Sequence, residues 1–306
     1  MKIYLSAIET AAEHALAATE AKVPNVLTSF FYAAWRGGMG SVKGVALSRC
    51  LRFAKGRLAD SGAHTFRVAG WGAASAASDA LSTDFDEFLV AYIVWLLKMR
   101  RSGLLDHWVE LDIGLVAGTR WVREQRRKLI GAGLGHGLIQ VWHSDEHDWS
   151  DWLHLLDEAR TPGRSGYVAI EGHNDGIRAQ HDYTKFLKPA FERGVRVHAF
   201  KVTDTKGLLR WPFYSVDSTS WLSPERYGLQ TVTDRLGVAR TDQAPASKQR
   251  RSWRAGISKR PNVRERLALL TASAAAWAEC ERAVDATWRR RGVDWEAQLS
   301  KEACAA

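Results

Sequence analysis

Eight short apolar runs alternate with amphipathic stretches along the first 217 residues of the chain, and few folds accommodate that rhythm. The runs predict strands at 2–7 (KIYLSA), 25–31 (NVLTSFF), 57–62 (RLADSG), 107–113 (HWVELDI), 137–143 (GLIQVWH), 166–171 (GYVAIE), 196–202 (RVHAFKV) and 213–217 (FYSVD). Each ends in a polar or glycine-containing turn. Between them, helical spacing predicts helices over 85–99, with Asp84 as the N-cap, and over 119–132, 150–159 and 182–193, the third capped from Ser150. Strands this continuously apolar belong in a parallel sheet covered on both faces. Eight of them make the count of a (β/α)8 barrel. A doubly wound open sheet is the alternative. No GxGxxG follows the first run, which counts against dinucleotide binding.

Hydrophobic residues make up 46% of the 306-residue chain and charged residues 25%, enough for a large core and too apolar for wholesale disorder. No apolar run approaches the roughly 20 residues of a membrane span. Glu9, Glu13, Glu20 and Lys22 interrupt any signal-peptide layout at the start. The three cysteines, Cys50, Cys280 and Cys304, are far apart and odd in number. They support neither a disulfide framework nor a four-cysteine zinc site, and a reduced cytoplasm is expected.

The net charge of +9 is unevenly placed: residues 235–306 hold 15 Lys/Arg and 8 Asp/Glu, or +7, leaving +2 for residues 1–234. Two domains are therefore expected, a barrel over 1–230 and a basic, mainly helical extension over 231–306, with a helix at 263–291. The densest stretch, 248–266, carries eight basic residues and one acidic residue. Lys248, Arg250, Arg251, Arg254, Lys259 and Arg260 there suit a phosphate backbone, and Trp253 among them suits stacking on a base. The same stretch reads equally as a solvated linker.

A barrel of this kind carries its chemistry at the carboxyl ends of its strands. Asp60, Asp112, His143, Glu171, Lys201 and Asp217 lie at those ends. Singly, each has a bland reading: turn or cap residues for the aspartates, a hydrogen-bonded core histidine, a solvated lysine. Together they place several carboxylates in one cleft, where one can serve as nucleophile and another can transfer protons. There is no P-loop, GxSxG or HExxH. His136, His143, His147 and His154 lack firm metal-ligand spacing, so no metal and no cofactor are expected.

At DSGAHTF (60–66) and YSVDSTSW (214–221) the chain resembles the tRNA-guanine transglycosylase superfamily. The resemblance is closest to the phage and bacterial, DpdA-like branch that inserts 7-deazaguanines into DNA. VLTSFFY, DFDEFLVAYIVWL, ELDIG, VWH, YVAIEG and VHAFKVT fall between in the family's order, so the resemblance covers about residues 1–221. It implies a barrel that exchanges a base in two steps. Asp217 would attack C1′ as nucleophile, and Asp60 would be the acid/base on the purine. Asp112 and His143 would hold the base edge, and Gly172 would offer backbone contact to its carbonyl side. The chain departs from the family in two places. The CxCxxC…H zinc site of the tRNA enzymes is missing, and Glu171-Gly172-His173 stands where DpdA-like sequences tend to have a glycine pair.

The resemblance implies a DNA-guanine transglycosylase that installs a preQ0-type base, with DNA and the free 7-deazaguanine as partners. The same chemistry on tRNA, a non-catalytic nucleic-acid-binding barrel, and an unrelated barrel glycosidase using Asp60 and Asp217 are the alternatives. The chemistry is sound on its own terms: a carboxylate beneath C1′ stabilises a cationic sugar and can trap it, and an ionised Asp accepts from the N–H donors of guanine.

Overall fold

A computed structural model of the chain describes residues 1–35, 42–62, 80–143, 148–171, 183–200, 202, 205–227, 231–233, 239–241 and 262–305. Eight parallel strands close into a barrel in sequence order: β1 (Lys2–Leu5), β2 (Asn25–Ser29), β3 (Gly56–Asp60), β4 (His107–Val109), β5 (Leu138–His143), β6 (Tyr167–Glu171), β7 (Arg196–Phe200) and β8 (Ser215–Ser218). β8 pairs back onto β1 with Tyr4 opposite Asp217, which completes the ring. The helices between the strands are α1 (Ala12–Glu20), α2 (Val42–Phe53), α3 (Ala80–Arg101), α4 (Gly114–Ala117), α5 (Thr119–Leu129), α6 (Trp149–Ala159), α7 (Thr184–Glu192) and α8 (Thr205–Arg210). After β8 come α9 (Ser223–Tyr227), a short antiparallel pair, β9 (Thr231–Thr233) with β10 (Ala239–Thr241), then α10 (Val263–Arg290) and α11 (Trp295–Ala305). The eight-strand (β/α)8 expectation is met, and the open sheet is excluded.

Burial on both faces explains why the strands read as continuous apolar runs: every residue of β2 and β5 is buried. Outside the strands, Trp152 of α6 and Trp221 after β8 are fully buried, and Trp108 of β4 lies against Gly137. A Cβ on Gly137 would stand 2.4 Å from the Trp108 ring, so the turn into β5 requires glycine.

Most element ends differ from expectation by a few residues, and three of the differences have a local cause. The helix predicted to start at Asp84 starts at Ala80, because nothing in ALST breaks it; Asp84 lies inside α3 rather than at its cap. The cap of α6 is Asp148, not Ser150: the Asp148 carboxylate accepts the Asp151 N–H at 2.9 Å and the Ser150 hydroxyl at 2.7 Å. The fourth strand stops at Val109 instead of running to Ile113. There the Glu110 carboxylate takes the Val141 N–H at 2.7 Å and binds Arg126 at 2.6 and 2.9 Å. A side chain thus occupies the donor that a fourth-strand carbonyl would have used, and the chain leaves the ladder.

The helical end of the 231–306 segment packs on the barrel. A capping box between Asn262 and Glu265 starts α10. The helix then lies against α1 and β1 and reaches α8. Ser273 donates to the Trp221 carbonyl at 2.7 Å and Trp288 to the Leu208 carbonyl at 2.9 Å. Glu281 accepts from the Ile3 N–H at 2.9 Å and from the Asn25 amide at 2.7 Å. β1 and β2 share a single register pair, Leu5 with Val26, so their amino ends are splayed, and Glu281 bridges that gap. Cys50 and Cys280 are buried, and burial pushes the Cys50 thiol up to about 11.

Candidate active site

Asp217 is the third residue of β8, and its carboxylate is held by Ser6 and faced by His198. Ser6, immediately past β1, donates from Oγ to Asp217 Oδ2 at 2.8 Å. The backbone puts it there: the Ser6 N–H donates to the Ser218 carbonyl at 2.9 Å, extending the β1–β8 ladder by one residue. Asp217 Oδ1 faces His198 Nε2 at 3.7 Å. His198 lies on β7 and is wholly buried, while the Asp217 side chain keeps 14% of its surface exposed. Ser215 and Asp217 are two apart and so share a face of β8. Ser215 Oγ lies 2.6 Å from His198 Nδ1 and also contacts the Tyr167 hydroxyl of β6. The centre of the barrel thus carries a polar layer where aliphatic side chains usually fill the interior.

Asp60 is the last residue of β3, opposite Ser29 at the end of β2. Gly62 follows at φ +82°, and a Cβ there would meet the Phe31 Cβ at 2.4 Å and Ser29 Oγ at 2.6 Å, so glycine is required for the turn beside Asp60. Two buried groups feel the Asp60 charge. Tyr92, which donates to the Val109 carbonyl at 2.7 Å, has its phenol raised first by burial and then by Asp60. Glu9, beyond β1 and only 1% exposed, has its carboxyl pushed up to about 7, chiefly by burial and further by Asp60. The N–H groups of Glu9 and Ser29, and the Lys43 ammonium, oppose that shift. One Glu9 oxygen, Oε2, has no hydrogen-bond partner among the described residues. A carboxyl in this setting holds a proton near neutral pH.

Asp112 and His143 meet. His143, ending β5, is 2% exposed, and its Nε2 contacts Asp112 Oδ1 on the loop after β4. Asp112 therefore sits on a loop rather than at a strand end, and its nearest partner is the histidine expected beside it on the base. With Glu110, Thr119, Val122, Arg123, Arg126 and Val141 they line a cavity of about 10 Å³, room for about one water. A larger cleft, about 380 Å³, lies between α5 and α6 and is lined also by Val141 and Trp142 of β5. Its arginines are largely matched by acids: Arg123 with Asp151 at 3.7 Å, Arg126 with Glu110 and Glu158, and Arg164 with Glu158 at 3.6 Å. Pocket size alone would favour that cleft. The carboxylates at the strand ends are the better candidate, because they combine partial exposure with fixed orientation.

The structure thus brings Asp217 and Asp60 to the carboxyl end of one barrel and joins Asp112 to His143. Gly172, Lys201, Lys248, Arg250, Arg251, Trp253, Arg254, Lys259 and Arg260 lie outside the described residues. Ser6, Glu9 and His198 were not singled out by their sequence. The signal for His198 is the alternation Arg196, His198, Phe200, which puts a histidine on an inward face of β7. Among the described residues no three His, Cys, Asp or Glu side chains gather as a metal-holding group, and no helix is long and apolar enough to cross a membrane. Comparison of the chain with protein-family models, with curated proteins and with solved structures finds no match.

Proposed function

We propose that the protein is a DNA-guanine transglycosylase, which exchanges guanine for a preQ0-type 7-deazaguanine through a covalent Asp217–sugar intermediate. The observation that carries this reading is Asp217 itself: a partly exposed carboxylate at the carboxyl end of β8, oriented by Ser6 and faced by a buried histidine. In the first step a carboxylate oxygen of Asp217 bonds to C1′ and the C1′–N9 bond breaks. The electron pair passes to the purine, which takes a proton from Asp60. In the second step Asp60 removes the N9 proton of the incoming 7-deazaguanine. N9 bonds to C1′, and the C1′–O bond breaks to restore the Asp217 carboxylate.

DNA is preferred over tRNA because the sequence lacks the cysteines of the tRNA enzymes' zinc site and carries instead a basic, tryptophan-containing stretch at 248–266. The test is mass analysis of nucleosides from guanine-containing DNA incubated with the protein and a 7-deazaguanine base. Incorporation of the deazaguanine into DNA is the expected result. Incorporation into tRNA alone, or into neither polymer, overturns it.

A further inference from the structure

We infer that His198 is a positioning residue for Asp217, held as its Nε2–H tautomer by a hydroxyl relay through Ser215 and Tyr167. We also infer that it promotes departure of the aspartate in the second half of base exchange. The release role rests on the transglycosylase reading; the tautomer and the contact do not.

The direction of the relay follows from counting protons. His198, Ser215 and Tyr167 are all fully buried, so water cannot complete their hydrogen bonds. Tyr167 carries one hydroxyl proton, and Ser215 Oγ is the partner its hydroxyl has. If Tyr167 donates to Ser215, the serine hydroxyl can donate onward to His198 Nδ1, 2.6 Å away, and every proton finds an acceptor; were Nδ1 to donate to Ser215 as well, the serine proton would have no acceptor among the described residues. The imidazole proton then stands on Nε2 and points at Asp217 Oδ1. In the reverse direction Nδ1 donates to Ser215 and Ser215 to Tyr167. The phenol proton is left without an acceptor among the described residues, which is costly for a buried donor, and the bare Nε2 lone pair is turned toward a carboxylate. Both consequences favour the first arrangement.

The 3.7 Å separation is longer than a hydrogen bond, and Nε2 makes none to the described residues. Gaps of this kind tighten when a catalytic site closes on its substrate. Phe200, at 4.7 Å between ring centroids, and Tyr4, at 6.0 Å, pack edge-to-face with the imidazole and restrict its rotation.

An N–H donor beside a carboxylate stabilises the anion more than the ester. When the C1′–O bond breaks and the electron pair returns to Asp217, that stabilisation appears at the leaving oxygen. Without the donor, release should slow by about 10²-fold, the scale seen when one preorganised donor to a developing oxyanion is removed. Attack on C1′ should slow less, because the donor also restrains the nucleophile.

The experiment uses full-length protein with 15N-labelled histidine and no substrate. NMR should show His198 protonated at Nε2 and accepting at Nδ1. Asp217→Asn should move the Nε2 signal, and Ser215→Ala or Tyr167→Phe, each of which removes one oxygen, should mix the tautomers. In single-turnover reactions with guanine-containing DNA, Ser215→Ala and His198→Phe should accumulate the covalent adduct, and His198→Gln, which keeps an N–H donor, should accumulate less. An Nδ1–H tautomer, or an Nε2 signal unmoved by Asp217→Asn, overturns the inference whether or not exchange is detected. The expected tautomer in a wild-type protein that never forms an adduct supports the positioning contact and overturns the transglycosylase reading with its release role.

Discussion

Replacing Glu9 with Gln should remove a pH dependence of stability that a single buried carboxyl imposes. The Glu9 carboxyl is raised from the ordinary 4.5 to about 7 in the folded protein. Between those values the folded state keeps a proton that the unfolded state has released. Stability from this group is therefore fully present below the unfolded value and is lost as pH rises through the folded value. The displacement of roughly 2.5 pH units corresponds to about 3 kcal/mol at 1.36 kcal/mol per unit, and at 1% exposure the group has little solvent screening to discount. Gln keeps the carbonyl acceptor and cannot ionise. Urea unfolding of both proteins at several pH values separates this group from every other, because all the others titrate in both. The variant should match the wild type near about pH 4 and exceed it progressively, by about 3 kcal/mol at about pH 8. Parallel stability curves across that range would refute the reasoning and show that Glu9 ionises normally in the fold.

Asp60→Asn should slow base exchange by about 10²–10⁴-fold, measured in single turnovers across pH, because an amide cannot pass a proton to the purine. Glu281→Ala should destabilise the barrel by about 2 kcal/mol in denaturant unfolding, since it strips the Ile3 N–H and the Asn25 amide of their acceptor at the splayed ends of β1 and β2. Changing Lys248, Arg250, Arg251 and Arg254 to Ala together should weaken DNA binding irrespective of sequence and flatten its salt dependence, by about 0.7–0.9 in log–log slope for each phosphate left without its cation; titration at several salt concentrations decides this, and an unchanged slope would mark the stretch as a solvated linker.

The barrel was legible because its strands are buried on both faces, and the eight runs stand out even where their ends do not. The ends were less legible because side chains set them. Glu110 terminates β4 by taking the Val141 N–H, and no periodicity announces that. The docking of α10 was hidden because its buried face is built largely from small residues, among them Ser273, Ala274, Ala278 and Cys280, around Trp277. Asp60 and Asp217 were visible as polar residues closing apolar runs. Ser6 and Glu9 were not, since they follow β1 through a turn in which Ala7 takes a positive φ of 65°. Nor could spacing along the chain reveal that Asp112 and His143, expected as separate contacts to a base, touch each other across the β4–β5 boundary.

The central claim is that Asp217 becomes covalently attached to a sugar, and trapping that species tests it most directly. The protein is incubated with guanine-containing DNA without any incoming base, denatured, and digested for peptide mass spectrometry. A DNA-linked peptide containing Asp217 is predicted, absent in Asp217→Asn and discharged when a 7-deazaguanine is added before denaturation. No adduct under conditions that support exchange, or an adduct on a different residue, would contradict the account.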